Sequence, residues 1–428
     1  MLGWLKSESL STQILIALGL GVALGLILKA PFLASFSGAI DTYIISFFDV
    51  IKTLFINSLK MMVVPLVLVS LICGVSALSD PSKLGRLGGK SLLLYLFTTA
   101  AAISMALLLA NLVDPGSDVV AKATDYEPKA APSIADVFSG LIASNPINAM
   151  ANGNMLQVIV FALLFGFAMS RSGESGQYMG NFFNHLNEII LKLVSILMSI
   201  APYGVFAIMV GVTYKLGFNV FKDLATYFSL VAITLIIHAL VTYPTLLTFL
   251  ARLNPLTFYK KLRPAALLAF STASSAATLP VTMKVAQQRL GVGDSTRSFT
   301  LPLGATINMD GTAIMQGVAT VFIAQMSGVD LTMSQYLTVI LMATLASVGT
   351  AGVPGVGLIM LSMVLVQVDL PAEAIGMLLG VDRLLDMMRT AVNISGDSAV
   401  ACIVSKSEGD FDEDMFNDPE AGLHLEAV

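Results

Sequence analysis

The chain is short of charge: Asp, Glu, Lys and Arg make up only 12% of its 428 residues. It is also short of histidine, with three, and of cysteine, with two. Each shortage excludes something. So little charge beside 56% hydrophobic residues and a mean hydropathy of +0.83 excludes an ordinary set of soluble domains. Cys73 and Cys402 both lie in apolar segments, where a thiol behaves as a small hydrophobe, so there is no disulfide framework. His185, His238 and His424 lie far apart and off any metal-ligand spacing, and a structural or surface role is expected of each. The net charge is −5, with much of the acid gathered from Glu408 onward, which excludes nucleic acid as a partner. The sequence has no zinc motif, no glycine-rich phosphate loop and no histidine beside a nucleophile, so it is not read as an enzyme.

What it has is repeated apolar runs of about 18 or more residues, the mark of an all-α polytopic membrane protein. The first run is Ser11 to Leu28. Lys6 ahead of it imitates a secretory signal. The apolar stretch Ile14 to Leu28 outruns a usual signal core of about 7–15 residues, and a long hydrophobic chain follows, so a first transmembrane helix is expected. Thr42 to Leu78 is too long for one straight crossing and is expected to begin as an interfacial or tilted segment. Further spans are expected over Ser91–Leu112, Leu156–Ser170, Ile189–Val212 and Phe228–Leu250. The acidic stretch Val113–Ala151 reads as an exposed loop with a short helix near its end, and the polar stretch Arg171–Asn187 as a second loop. Lys6, the group Lys83, Arg86 and Lys90, and the group Arg252, Lys260, Lys261 and Arg263 mark the cytoplasmic side. Both termini then fall in the cytoplasm, and the acidic tail Glu408–Val428 reads as disordered.

The last third changes style. A broken segment (264–290) precedes an apolar span with a polar core (297–325). A second broken segment (335–365) precedes a second such span (371–405), so the layout repeats. Free backbone groups cannot face hydrocarbon, so such breaks survive only inside protein or beside a wet cavity. Paired interrupted segments in corresponding halves point to a transporter's binding site.

Leu378–Ser405 carries Asp382, Arg383, Asp386, Arg389 and Asp397. Asp382, Asp386, Arg389, Asn393 and Asp397 share one helix face at roughly 100° per residue. Arg383 lies about 100° off that stripe and is expected to face elsewhere. Ionisable groups inside a membrane helix are costly, so the stripe is read as a functional site. Pairing of the charges with one another alone would not need the uncharged ligands Thr390 and Asn393. Arg389 can fork onto a carboxylate, Asp386 can hold an ammonium and Asp397 can serve a cation. That combination fits an acidic amino acid. Asn308, Met309 and Asp310, followed by Gly311 and Thr312, are expected to unwind a span and offer oxygen ligands to a small hard cation. Tyr95, Thr98 and Thr99 can complete that shell, or simply pack. Ser274, Ser275 and Thr278 read as a hairpin tip with N–H groups for an anion, and Ser347–Gly357 as a flexible gate.

Taken in order, SSAATLPVT, NMDGTA, SVGTAGVPG and DMMRTAVNISGD resemble the dicarboxylate/amino acid:cation symporter family, the glutamate and aspartate transporters, across essentially the whole chain. The resemblance implies eight transmembrane helices plus two re-entrant helical hairpins, Pro264–Gln288 and Thr338–Leu365, arranged as inverted repeats. It implies a trimerising scaffold from residues 1–82 and, after an extracellular loop, from residues 113–222. The transport domain would be residues 83–112 and 223–406, moving like an elevator, with 407–428 a cytoplasmic tail. Substrate contacts are implied at Ser275, Thr312, Val353, Gly357, Asp386, Arg389, Thr390 and Asn393. One sodium would use Gly304, Asn308, Asn393 and Asp397; a second Thr306, Met309, Ser347, Val348 and Thr350; a third Tyr95, Thr98, Thr99, Asn308 and Asp310. Gln316 stands where mammalian carriers have a glutamate linked to proton coupling. The arginine that family members place beside the first hairpin's serines, or beside the last span's substrate-binding aspartate, is absent: those positions hold Ala273 and Met387. The implied activity is Na+-coupled uptake of L-aspartate and/or L-glutamate by a homotrimer in the inner membrane of a prokaryote. Coupling to H+, a C4-dicarboxylate substrate and an anion-conducting channel are the alternatives.

Overall fold

A computed structural model describes residues 10–76, 84–116, 142–217, 220–347, 352 and 355–422. Every element among the described residues is helical. Helix α1 is Leu10–Leu28. A helical run from Pro31 leads through a π-helical segment, Ile40–Ile45, into α2, Ser46–Ser76. Then come α3 (Leu84–Val113), α4 (Pro146–Ala151), α5 (Met155–Ser170), α6 (Gly173–Ser199), α7 (Ala201–Leu216) and α8 (Val220–Ile237). The last half holds α9 (Pro255–Thr272), α10 (Ser275–Gln288), α11 (Asp294–Ile307), α12 (Asp310–Met326), α13 (Met333–Ser347), α14 (Val356–Gln367), α15 (Ile375–Glu408) and α16 (Glu413–Asn417).

Among the described residues, three runs are long and apolar enough to cross a membrane: Pro31–Ser76, Arg86–Val113 and Lys222–Ala251. The bent pair Gly173–Ser199 with Ala201–Lys215 passes the same test when its two helices are counted together. Elsewhere the helices are interrupted or charged: α11 and α12 are separated at Asn308 and Met309, and α15 carries the charged stripe. The surface is apolar, with Phe32, Phe97, Leu108 and Phe249 all more than half exposed, while Arg389 is among the largest fully buried side chains. Such an inside-out arrangement suits lipid as the surrounding solvent.

The helices pack in two sets. Helices α1, α2, α5, α6 and α7 pack mainly on one another. Helices α3 and α8 to α15 gather around α15, which touches α3, α8, α9, α11 and α12 along its length. The sets meet where α7 lies on α15 and α14 lies on α2.

Several expectations need correction. The expected loop Arg171–Asn187 is the first half of α6; its polar residues form one face of an amphipathic helix rather than a break. The expected span Ile189–Val212 bends by 46° between α6 and α7. Pro202, in the first turn of α7, cannot continue the hydrogen-bond ladder. The span after α8 widens into π-helix at His238–Thr242 and at Leu247–Ala251, on either side of Pro244. π-segments often lie at functional sites, and His238 opens the first of these two.

The tail is not a disordered extension as far as residue 422. Gly409, at φ 75°, ends α15, and the chain folds back over the α10–α11 turn. Asp412 donates its N–H to the Gly291 carbonyl at 2.8 Å, and Asp410 accepts from Thr296 and Ser405. Lys261 of α9 donates to the carbonyls of Met415 and Asp418, and Phe416 is buried. Lys90 and Arg86 of α3 grip Glu408. Glu408, Asp410 and Asp412, acids that sequence statistics place in solvent, are ion-paired or hydrogen-bonded here.

Candidate functional site

The stripe on α15 is buried along its whole length, as its period requires, and begins with a charge cluster. Arg389, 1% exposed, donates from Nη2 to Asp386 Oδ1 at 2.7 Å and holds Nη1 3.0 Å from Asp382 Oδ1. The second contact is an ion pair out of line for a hydrogen bond, and Nε has no hydrogen-bond partner. A buried donor left so costs about 1–3 kcal/mol until an acceptor arrives. Arg383 does not face elsewhere: its Nη1 lies 3.7 Å from Asp386 Oδ2. The Gly355 N–H at the start of α14 reaches the same oxygen at 3.3 Å. Thr390 donates to the Asp386 carbonyl. The charges therefore pair with one another in this arrangement, with Arg389 keeping donors to spare. Around them Thr312, Gly357 and Asn393 are buried; a side chain on Gly357 would meet Thr312 and the Arg389 guanidinium at 3.1 and 3.4 Å.

The tips of the two broken segments meet beside this cluster. Ala273, left-handed at φ 50°, turns the chain between α9 and α10, and Ser274 caps α10 by accepting from the Ala277 N–H. Ser274 Oγ and the Ala276 N–H both donate to the Gly352 carbonyl, at 2.7 and 3.3 Å. Donors expected to face an anion are thus spent on the opposite tip. Ser275 is buried next to Gly352, and Thr278 bonds back to Ser274 and Thr272.

Deeper along α15, the chain unwinds at Asn308 and Met309, as the sequence predicts. Asn308 is the junction of the site. Its Nδ2 donates to Asp397 Oδ1 at 2.8 Å and to the Asn393 carbonyl at 3.1 Å; Thr98 Oγ1 donates to its Oδ1 at 3.4 Å. Asn393 Oδ1 in turn accepts the Gly311 N–H at 2.8 Å. Two glycines permit this closeness. A side chain on Gly311 would strike the Arg389 backbone at 2.7 Å, and one on Gly304 the Asp397 carboxylate at 2.5 Å.

Asp310 starts α12, where the helix dipole favours an anion. It is wholly buried. Oδ1 accepts from Thr99 at 2.6 Å and from Thr98 at 3.3 Å; Oδ2 accepts from the Tyr243 hydroxyl at 2.8 Å and lies 3.2 Å from His238 Nε2. His238 Nδ1 is buried without a hydrogen-bond partner. Tyr95 donates to the Thr300 carbonyl beside Gly304 and Asp397. Asp310 and Asp397 are thus buried carboxylates held by hydroxyl, amide and imidazole groups. Among the described residues no Lys or Arg lies within ion-pair distance of either. A buried charge without a partner is strongly destabilising, so this half has the chemistry of a cation site built from oxygen ligands.

Sequence reasoning missed that His238 and Tyr243 contact Asp310; the structural or surface role expected of His238 is a buried one, beside this carboxylate. The first and third cation sets are brought together around Asn308. The second is not assembled among the described residues. Thr306 and Ser347 bond only to carbonyls of their own helices, and Met309 meets Asn393 through its sulfur. Val348, Thr350 and Val353 lie outside the described residues. Gln316 is buried within α12.

Two bacterial relatives carry the name proton/sodium-glutamate symport protein. The one from Bacillus caldotenax is 33% identical, covering 96% of this chain and 97% of its own length. The one from Bacillus subtilis (strain 168) is also 33% identical, over 96% and 94%. Excitatory amino acid transporter 2 of Homo sapiens is 36% identical over 82% of this chain and 72% of its own. Residues 10–407 match the profile of the sodium:dicarboxylate symporter family, and the chain belongs to that family.

Proposed function

We propose that the protein is a secondary active symporter that takes up L-aspartate and/or L-glutamate with Na+. One observation carries the reading: two buried carboxylates without a Lys or Arg partner, Asp310 and Asp397, are linked through Asn308 and Asn393 to Gly311, which packs on the backbone of Arg389, a buried guanidinium with unused donors. In this mechanism Na+ is cargo as well as driving force. It neutralises Asp310 and Asp397 once Thr98 and Thr99 turn their hydroxyl hydrogens away and offer oxygen. Arg389 exchanges Asp386 for the side-chain carboxylate of the substrate, in a bidentate pair. Asp386 then takes the substrate ammonium. Because Asn308 and Asn393 touch both halves, filling the cation half fixes the backbone that lines the substrate half, which couples the two bindings.

The reading includes the finer architecture expected of the sequence. It takes α9–α10 and α13–α14 as re-entrant hairpins with tips closing at Gly352, and eight transmembrane helices around them. It takes α3 with α8–α15 as a transport domain that slides against α1, α2, α5, α6 and α7, the two packing sets supporting that division. The scaffold set would form a homotrimer in the inner membrane of a prokaryote, with both termini in the cytoplasm. The substrate roles of Ser275, Thr312, Val353, Gly357, Thr390 and Asn393, and a second cation set at Thr306, Met309, Ser347, Val348 and Thr350, belong to the same proposal.

The test is uptake of labelled L-aspartate and L-glutamate into proteoliposomes by wild type and by Arg389→Gln. Saturable wild-type uptake that the substitution abolishes supports the reading; unchanged uptake by the variant removes Arg389 from the substrate site. H+ coupling is the second reading, favoured by the names of the bacterial relatives, which include both ions.

A further inference from the structure

We propose that Arg383 is a positioning residue for the substrate ammonium: it anchors the second oxygen of Asp386, so that Arg389 can leave Asp386 for the substrate without dragging the carboxylate along. The proposal rests on the reading of this site as one for an acidic amino acid.

Asp386 lies three residues after Arg383 and three before Arg389, so the two guanidinium groups approach it from opposite directions along one helix. They take different oxygens. Arg389 Nη2 holds Oδ1 at 2.7 Å; Arg383 Nη1 lies 3.7 Å from Oδ2, which also accepts the Gly355 N–H. The two arginines differ in setting. The Arg389 side chain is 1% exposed and enclosed, whereas that of Arg383 is 19% exposed and lines a cavity of about 170 Å³ with Asp382, Asp386, Gly355 and Met198. Arg383 is therefore placed to stay on the wall while Arg389 faces inward.

Charge balance gives this contact a consequence. Asp382 and Asp386 carry two negative charges, and Arg383 with Arg389 carries two positive ones. Without Arg383 the empty cluster would be net negative, and a substrate with a net charge of −1 would meet repulsion in a poorly screened interior. Asp386 would also follow Arg389, its one remaining guanidinium, and occupy the donors the substrate needs. Both effects weaken binding rather than slow the subsequent movement, so they enter KM and Kd rather than the maximal rate.

The experiment uses the purified full-length protein and its Arg383→Ala and Arg383→Lys variants. L-Aspartate binding is measured calorimetrically at saturating Na+, with the melting temperature of each substrate-free protein recorded alongside. Loss of this partly buried ion pair, with the net negative charge it leaves, corresponds to a Kd raised about tenfold in Arg383→Ala. Lysine keeps the charge without the fork and is expected within about threefold of wild type. Arg383→Ala binding within about twofold of wild type overturns the proposal, and so does a loss that lysine fails to restore. A wild-type protein that binds neither acidic amino acid would refute the substrate reading itself, a result distinct from unchanged binding in the variant.

Discussion

Asp386 and Asp397 lie about three turns apart on the same face of one helix, and the protein treats them differently. Asp386 is gripped by Arg389 and approached by Arg383. Asp397 has an amide donor, Asn308, and Asp310 beside it has two threonines, a tyrosine and a histidine. On the proposed reading, the difference matches each half to its ligand. A buried carboxylate with a fixed guanidinium is already compensated, so a ligand must exchange for part of the pair. A buried carboxylate held only by dipoles is left with charge that a mobile cation can neutralise. Exchange suits a zwitterion with an extra carboxylate; neutralisation suits Na+.

The contrast can be broken at either end. Removing the fixed cation, in Arg389→Gln, has the largest expected effect: uptake of acidic amino acids falls to background, while Na+ binding to the purified protein survives. Next is the removal of charge from the other half. Asp310→Asn and Asp397→Asn are each expected to weaken Na+ about 100-fold, as loss of one charge among the oxygen ligands predicts. In both, aspartate binding at very high Na+ recovers toward wild type; failure to recover would show that the halves are not separable. A smaller effect sharpens the comparison. Tyr243→Phe takes one donor from Asp310 Oδ2, a change of about 1 kcal/mol, so Na+ affinity should move roughly three- to tenfold with the Kd for aspartate unchanged at saturating Na+.

The smallest effect lies outside the membrane. Lys90, by its hydrogen bond, and then Arg86 hold the Glu408 carboxyl below the usual glutamate range. A carboxyl depressed in the folded state contributes stability above its unfolded pKa and loses it as pH falls through the folded value. The tail clasp should therefore hold at neutral pH and loosen below about pH 4, seen as faster amide exchange in residues 409–422. Exchange there that does not change with acid would mean that Glu408 does not hold the clasp.

The sequence made the stripe on α15 legible because helical periodicity is strict, and made the unwinding at Asn308 legible because Asn-Met-Asp-Gly interrupts an apolar span. Arg383 was misplaced because a helical wheel treats residues as points. Positions three apart differ by roughly 60°, and an arginine is long enough to cross that arc. His238 and Tyr243 were missed because hydropathy does not register how Pro244 shifts the helix into π turns that re-aim side chains. The bend at Pro202 and the helical start of α6 escaped for the related reason that hydropathy measures composition, whereas one missing N–H or one amphipathic face decides direction. The tail was misread because acidic residues look solvated until their partners on α3, α9 and α11 are known.

The most direct measurement is uptake of labelled L-aspartate into proteoliposomes under two gradients applied separately. With an inward Na+ gradient at symmetric pH, concentrative uptake is the predicted result, because Asp310 and Asp397 have no Lys or Arg partner among the described residues. Uptake driven by an inward H+ gradient without Na+ would contradict the account, since one of those carboxylates would then be carrying a proton in place of the ion.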